Sequence, residues 1–287
     1  MEMTSNLLNQ ESMNQVLDST SKSNIEKCEI CGEPIGLEMV LLGTKFTVPR
    51  MCSCKKKAFE ESQKQAQALE KQTRLSQIFN NSLMTKEFKE FTFQNWDHDL
   101  GNSKMYDLGL KYVKHFKEMK EQNLGLLIYG QPGNGKTFLS GCIANELLNN
   151  FIPVVCVSAI GILERIKDSF GKYGDDGIQS ILNCLDNADL LIIDDLGTEN
   201  NTAWSRSTMY QILDTRYRKK KPLVVTSNLT MDQLRKRYDQ ECEDNEKGRT
   251  FDRLVNEMCT PIENLSPSIR VKKGKEKTKL LGQILNS

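Results

Sequence analysis

Residues 130–137 of the chain read Gly-Gln-Pro-Gly-Asn-Gly-Lys-Thr and directly follow the apolar run Leu126–Tyr129. They fit the pattern G-x-x-x-x-G-K-[ST], in which glycines let backbone N–H groups close around phosphate oxygens at the start of a helix. The apolar run predicts a strand, and the residues through Leu148 predict a helix. The eight residues therefore predict a phosphate-binding loop in its usual context.

The residue types of this loop fit the chemistry of a nucleoside triphosphate. Lys136 supplies a positive charge for the β- and γ-phosphates, and the hydroxyl of Thr137 is a ligand for Mg²⁺. A glycine-rich turn with a chance lysine is the alternative, and the flanking strand and helix argue against it. We expect ATP and Mg²⁺ as cofactors, with these nucleotide-binding residues: Gly130, Gln131, Pro132, Gly133, Asn134, Gly135, Lys136, Thr137 and Phe138.

A second apolar run, Leu190–Ile193, ends in Asp194 and Asp195. Ligands bind at the carboxyl ends of the strands in parallel sheets. Asp194 is therefore predicted to bind Mg²⁺ and Asp195 to activate water. The alternative is a strand that turns into solvent at an Asp-Asp loop.

The rest of the second part of the chain alternates apolar runs with helical patterns. Continuous apolar strands separated by helices indicate an α/β fold with a parallel sheet covered on both faces. We predict a five-stranded sheet in a domain over 88–287. Its other strands are Val154–Val157, Leu223–Thr226 and Pro261–Leu265, and its helices include 103–121, 158–170, 176–187 and 203–219.

Four cysteines near the N-terminus have metal-ligand spacing: Cys28 and Cys31, then Cys52 and Cys54. Four thiolates close a tetrahedral Zn²⁺ site of the structural kind. Free buried cysteines and a redox pair are the alternatives. We expect a zinc-ribbon-like domain over 25–87 that includes a helical arm over 55–80, preceded by a disordered tail over 1–24. The arm is sparse in apolar residues and is expected to be solvated or docked on a partner.

Composition limits the class of protein. The chain of 287 residues carries 39 Lys+Arg against 38 Asp+Glu, a net charge of +1, so any polyanion site must be local. No apolar run approaches the roughly 18 residues of a membrane span. The N-terminus lacks the basic and apolar regions of a signal peptide. We therefore expect a cytoplasmic protein without a membrane partner.

Five segments in order, GQPGNGKT, LLIIDDLGTE, PLVVTSN, GRTFDRL and PSIR, resemble the AAA+ ATPases of the DnaC/DnaI helicase-loader and IstB group over about 88–270. The resemblance implies that Asn228 is the sensor-1 residue, which polarises the attacking water. It implies that Arg253 is an arginine finger acting on ATP of a neighbouring subunit, with Arg249 as the substitute. Arg270 would be the sensor-2 residue that contacts the γ-phosphate in cis.

The resemblance also implies a function in DNA replication. A loader of this group binds single-stranded DNA, grips the hexameric replicative helicase through a zinc-bearing N-terminal domain, self-associates through its ATP sites and hydrolyses ATP weakly to release the helicase. The compact N-terminal segment favours a loader encoded by a phage or mobile element. Two alternatives remain: an IstB-like transposition ATPase, and a non-hydrolysing zinc adaptor that holds a helicase inactive.

The insertion helices and the basic C-terminal tail are candidates for DNA contact, whereas a third basic segment, the run 216–221, is not. The helices over 158–170 and 176–187 resemble the initiator-specific insertion, and Phe170, Lys172 and Tyr173 offer stacking and phosphate contacts, although Phe170 also continues an apolar helix face. The run 216–221 is expected to complement a helix dipole. A basic tail, which is either a DNA contact or a solvated end, contains Lys272, Lys273, Lys275, Lys277 and Lys279.

Overall fold

The computed structural model describes residues 25–78, 88–173, 175–239 and 248–285. The chain forms two compact units, Met1–Gln65 and Ala66–Ser287. The division falls inside helix α1, Ser53–Ile78. The tail predicted over 1–24 lies outside the described residues.

The first unit contains an antiparallel hairpin of β1 (Gly36–Leu41) and β2 (Thr44–Pro49). Its two turn residues, Leu42 and Gly43, both have positive φ, 51° and 80°. A two-residue turn of this kind matches the twist of the flanking strands. The hairpin lies between the two cysteine pairs in the chain.

The second unit is built on a five-stranded parallel sheet, which confirms the predicted fold class. Its strands are β3 Gly125–Tyr129, β4 Val154–Ser158, β5 Leu190–Asp194, β6 Leu223–Ser227 and β7 Cys259–Glu263. The last strand begins at Cys259 and not at Pro261. The strand order is β4-β5-β6-β3-β7, so β6 lies between β3 and β5.

Helices cover both faces of this sheet. The single helix predicted over 103–121 is interrupted at His115, whose φ of −105° and ψ of 22° are not helical. The interruption allows Phe116 to be buried with its ring 6.0 Å from that of Tyr112. The helices are α2 Ser103–Lys114, α3 Phe116–Glu121, α4 Lys136–Asn149, α5 Ala159–Tyr173, α6 Asp175–Asn187, α7 Ala203–Arg218, α8 Met231–Asp239, α9 Arg249–Asp252 with a π-helical continuation Arg253–Met258, and α10 Ile269–Leu285.

The core has two layers because alternate residues of each strand point to opposite faces. In β5, Leu191 and Ile193 pack with the layer that contains α5, α6 and α7. Leu190 and Ile192 pack with the layer of α2 and α4. Each such fully buried side chain stabilises the fold by about 1.5–3 kcal/mol. None of the helices in the described part of the chain has the length and apolar character needed to cross a bilayer.

The last turns of α1 belong to the second unit and pack on its edge strand β4 and its core. Gln72 accepts a hydrogen bond from the amide of Val154 at 3.0 Å and donates one to its carbonyl at 3.1 Å. Lys71 pairs with Asp189 at 3.1 Å, and Leu75 is buried in the core. Since β4 is an edge strand, Gln72 satisfies backbone groups that an edge leaves unpaired. This end of the predicted arm is therefore not simply solvated.

Arg216 differs from the predicted role of complementing a helix dipole. Its side chain is buried, and it donates hydrogen bonds to the carbonyl oxygens of Leu185, Ala188 and Pro222 at 3.0, 2.7 and 2.6 Å. Burial lowers the pKa of the guanidinium to about 10. Arg216 therefore joins the end of α6 to the segment that enters β6.

Candidate functional site

The phosphate-binding loop connects the end of β3 to the first turn of α4. Gly130, Gly133 and Gly135 have φ of 144°, 79° and 90°, a region that favours glycine. A Cβ atom at Gly130 would also collide with the backbone oxygen of Asn264. The loop therefore needs glycine for its conformation and for the close approach of a second segment.

Lys136 is buried inside the curve of this loop. Its Nζ donates hydrogen bonds to the carbonyl oxygens of Gly130 and Gln131, both at 2.8 Å, and to Oδ1 of Asn134 at 3.0 Å. Burial lowers the pKa of its amino group. The charge is thus held where the loop would enclose phosphate.

Asp194 ends β5 and lies next to Thr137. Its Oδ2 accepts a hydrogen bond from Oγ1 of Thr137 at 3.0 Å, and its Oδ1 accepts one from Oγ1 of Thr226 at 2.6 Å. Burial raises the pKa of the carboxyl group. The pair of Thr137 and Asp194 is the predicted magnesium-ligand pair, and Thr226 is a partner that the sequence analysis missed.

Asp195 has a φ of 54°, in the left-handed region that Asp and Asn tolerate better than most residues. Its backbone N–H donates to Oγ1 of Thr226 at 2.9 Å. Its Oδ1 accepts a hydrogen bond from Nδ2 of Asn228 at 3.1 Å. Because β6 lies between β3 and β5, Asn228 at the end of β6 comes beside both the loop and the acid pair.

A cavity of about 370 Å³ opens beside these groups. This volume is in the range of small-ligand sites, roughly 300–1,000 Å³. Residues 133–138 of the loop form one side, with Asp195 and Asn228. The other walls contain Phe91, Trp96 and Leu100, and the start of α10 with Ile269, Arg270 and Lys273. Sequence reasoning missed the aromatic wall, although the cluster FTFQNW at 91–96 was a visible signal.

The structure places the two predicted arginines differently. Arg270 lines the cavity of its own chain. Arg253 is not among the cavity residues; its guanidinium contacts the carboxylate of Asp214, donates to Oη of Tyr210 at 3.0 Å, and lies 4.8 Å from the ring centre of Tyr217. Arg253 therefore packs on α7 and does not join the assembled site.

Glu199, the last residue of the DDLGTE stretch, is buried. Its Oε2 accepts a hydrogen bond from the amide of Gly197 at 2.8 Å. Its Oε1 accepts hydrogen bonds from Tyr238 at 3.1 Å and from Nε of Arg237 at 3.2 Å. Glu199 thus ties the loop after the acid pair to α8, the helix that follows Asn228, a role that its place in the motif did not indicate.

In the first unit the four predicted cysteines converge. The Sγ atoms of Cys28, Cys31, Cys52 and Cys54 all lie within 4.8 Å of one another. Cys54 is 3.5 Å from Cys28 and 3.2 Å from Cys52. Four thiolates around tetrahedral zinc, with Zn–S of about 2.3 Å, lie about 3.8 Å apart. Backbone N–H groups of Cys31 and Ile30 lower the pKa of Cys28 to about 6, whereas hydrogen bonds with the thiols of Cys52 and Cys28 raise the pKa of Cys54 to about 12. The donor set fits zinc.

The proposed DNA contacts remain predictions. The backbone of Phe170, Lys172 and Tyr173 belongs to the last turns of α5. Their side chains lie outside the described residues.

Comparison with known proteins gives concordant matches. The family model described as IstB-like ATP binding protein matches residues 57–277. The replicative helicase loader DnaC of Escherichia coli strain K12 is 30% identical over 174 residues, which are 59% of this chain and 69% of that protein. The protein XkdC of the phage-like element PBSX of Bacillus subtilis strain 168 is 30% identical over 154 residues, 51% of this chain and 55% of that protein.

Solved structures agree with the fold. The crystal structure of DnaI has a TM-score of 0.53 at 27% identity, over 63% of this chain and 95% of that chain. The crystal structure of the DnaC helicase loader has a TM-score of 0.51 at 19% identity, over 62% of this chain and 99% of that chain. With the strand order, these matches establish the AAA+ fold of the second unit.

Proposed function

The chain belongs to the family of IstB-like ATP binding proteins, and on that premise we propose that it is an ATP-dependent loader of the hexameric replicative DNA helicase. It binds ATP and single-stranded DNA, grips the helicase, and hydrolyses ATP to release it. The proposal of ATP binding and hydrolysis rests on one observation: four polar side chains converge beside the buried Lys136. They are Thr137, Asp194, Asp195 and Asn228. The proposed helicase partner is supported by the similarity to DnaC, which is named a replicative helicase loader.

The chain's own residues have defined parts in hydrolysis. The loop N–H groups and Lys136 hold the β- and γ-phosphates, and Thr137 with Asp194 would hold Mg²⁺. When bound, Mg²⁺ neutralises charge on these phosphates. Asp195, oriented by Asn228, accepts a proton from the attacking water. Arg270 on the opposite wall stabilises the γ-phosphate oxygens.

Arg253 acts on ATP held by a neighbouring subunit. Its packing against α7, away from the cavity of its own chain, supports a role in trans. ATP then stabilises the contact between subunits, and an isolated chain hydrolyses ATP weakly. Arg249 is the alternative for this role.

The four cysteines would hold zinc in a structural role, since four protein ligands leave no open position for catalysis, and the bound metal would stabilise the first unit. The hairpin of this unit presents an exposed apolar face, because Met39 lies opposite Phe46 and residues two apart in a strand share a face. Apolar patches of this kind mark protein–protein contacts. We assign the helicase contact to this face, whose exposed members are Leu37, Met39, Leu41 and Phe46.

A transposition ATPase is the second candidate, because the matching family model is named for IstB-like proteins. The two functions differ in their partner and share the nucleotide site.

One binding experiment separates them. The purified full chain is mixed with the purified host replicative helicase, or with a transposase encoded beside the gene, in ATP or ADP, and complexes are separated by size. A loader forms an ATP-dependent complex with the helicase and places it on circular single-stranded DNA. The double substitution Met39→Asp and Phe46→Asp should weaken that complex, whereas the control Glu38→Gln should not. Complex formation with the transposase alone would overturn the proposal.

A further inference from the structure

We propose that Lys273 is a phosphate-binding residue of the nucleotide site, one helical turn beyond Arg270. The inference rests on the proposed ATP binding and adds a residue that neither the motifs nor the family resemblance assigns.

The start of α10 is anchored on the phosphate-binding loop. The amide of Ile269 donates a hydrogen bond to the carbonyl oxygen of Gly133 at 2.9 Å. A Cβ atom at Gly133 would lie 2.6 Å from Oγ of Ser268 and 3.1 Å from the Cγ and Cδ atoms of Arg270. The first turn of α10 therefore packs directly on the loop, which limits how α10 is rotated about its axis.

This anchoring determines which lysine of the basic stretch reaches the site. Residues three apart on a helix share a face, so Lys273 lies on the same side of α10 as Arg270. Both line the cavity, whereas Lys275 and Lys277 do not. Lys275 is two residues further along and points to the opposite side of the helix. Lys277 shares the face of Lys273 but lies one turn farther along, and it does not line the cavity. Among the described lysines of the basic tail, Lys273 is therefore the one at the cavity.

The charges around the cavity leave Lys273 available to an anion. Of the residues that the structure describes, five that line it are charged: Asp97, Lys136, Asp195, Arg270 and Lys273. Oδ1 of Asp97 accepts hydrogen bonds from the amides of Asp99 and Leu100, and Oδ1 of Asp195 accepts one from Nδ2 of Asn228. Within the described ranges, no carboxylate lies at ion-pair distance from Lys273. A lysine ammonium is a compact charge that suits phosphate oxygens.

The experiment compares three variants of the full chain by the dissociation constants of ATP and ADP. Lys273→Met removes the charge at the cavity, Lys275→Met removes the same charge from the opposite side of the same helix, and Lys273→Arg keeps the charge. We expect Lys273→Met to weaken ATP binding about tenfold, as for loss of a charge-assisted contact, and the other two variants to stay within about twofold of the wild type.

The outcomes separate the inference from the proposed function. If the wild type does not bind ATP, the proposed function fails. If the wild type binds ATP, and Lys273→Met and Lys275→Met have the same dissociation constant for ATP, the inference about Lys273 is overturned and the proposed function is not. This holds whether both variants bind as the wild type does or both bind more weakly. Lys273 is exposed, so its substitution is expected to leave the melting temperature without nucleotide unchanged, and this measurement excludes misfolding.

Discussion

Asn134 and Asn264 each donate a side-chain hydrogen bond to the backbone oxygen of the other, at 2.8 and 3.0 Å, across 130 residues of sequence. Both are buried. Asn134 also accepts a hydrogen bond from Lys136. The reciprocal pair therefore joins the phosphate-binding loop to the segment between β7 and α10, and it holds in place the residue that accepts a hydrogen bond from Lys136.

Replacing Asn264 with Ala should disturb this loop. The variant removes the donor to the Asn134 carbonyl and leaves that buried oxygen unpaired, which costs about 1–3 kcal/mol of unfolding free energy. We expect ATP binding to weaken several-fold as well. Denaturant unfolding without nucleotide and ATP titration measure the two effects. Asn149→Ala, on an exposed residue of α4, is the control; equal behaviour of the two variants would contradict the role of the pair.

Lys136→Ala and Asp194→Ala should each abolish Mg²⁺-dependent ATP hydrolysis. The first removes the buried charge within the loop, and the second removes the carboxylate that lies 3.0 Å from the Thr137 hydroxyl. Phosphate release at saturating ATP checks this, with Lys167→Ala on the exposed side of α5 as the control. If both variants hydrolysed ATP at the wild-type rate, the assignment of Lys136 and Asp194 to the active site would be wrong.

Arg253→Ala should lower ATP hydrolysis strongly, since an arginine finger contributes roughly 10³–10⁵ in rate. Mixing Arg253→Ala chains with Lys136→Ala chains should restore part of the activity, because an intact nucleotide site can then meet an intact arginine on its neighbour. Failure to restore activity would argue against action in trans.

The contact of Arg253 with Asp214 provides a matched control for that experiment. Asp214→Ala breaks the same ion pair but keeps the arginine. If Arg253 is a finger, Asp214→Ala retains hydrolysis while Arg253→Ala loses it. Equal loss in the two variants would show that the pair only stabilises the packing of α9 and its continuation on α7.

Metal analysis of the purified chain should give about one zinc per molecule, bound by four cysteines. Cys28→Ser and Cys54→Ser should lose the metal and unfold the first unit, since a segment of this size depends on its metal for stability. ATP binding by the second unit should persist. A first unit that is folded without metal, as measured by protease resistance of the hairpin region, would be inconsistent with a structural zinc site.

Much of the fold was predictable from sequence because its signals are local. Buried parallel strands appear as continuous apolar runs, and Leu190–Ile193 became β5 with one added residue, Asp194. The interruption at His115 was not predictable, because the apolar spacing continues through it. The buried role of Arg216 was also hidden, since its acceptors at Leu185, Ala188 and Pro222 come from other elements.

The sequence alone was enough to identify the phosphate-binding loop, the acid pair and the two cysteine pairs. In each of these the chemical groups belong to residues that are adjacent or a few positions apart in the chain. Only the tertiary structure decided which distant groups support them. Thr226 and Asn228 reach the acid pair because β6 lies between β3 and β5. Lys273 lines the cavity because α10 is anchored on Gly133. Such contacts depend on strand order and helix rotation, and no pattern of adjacent residues carries that information.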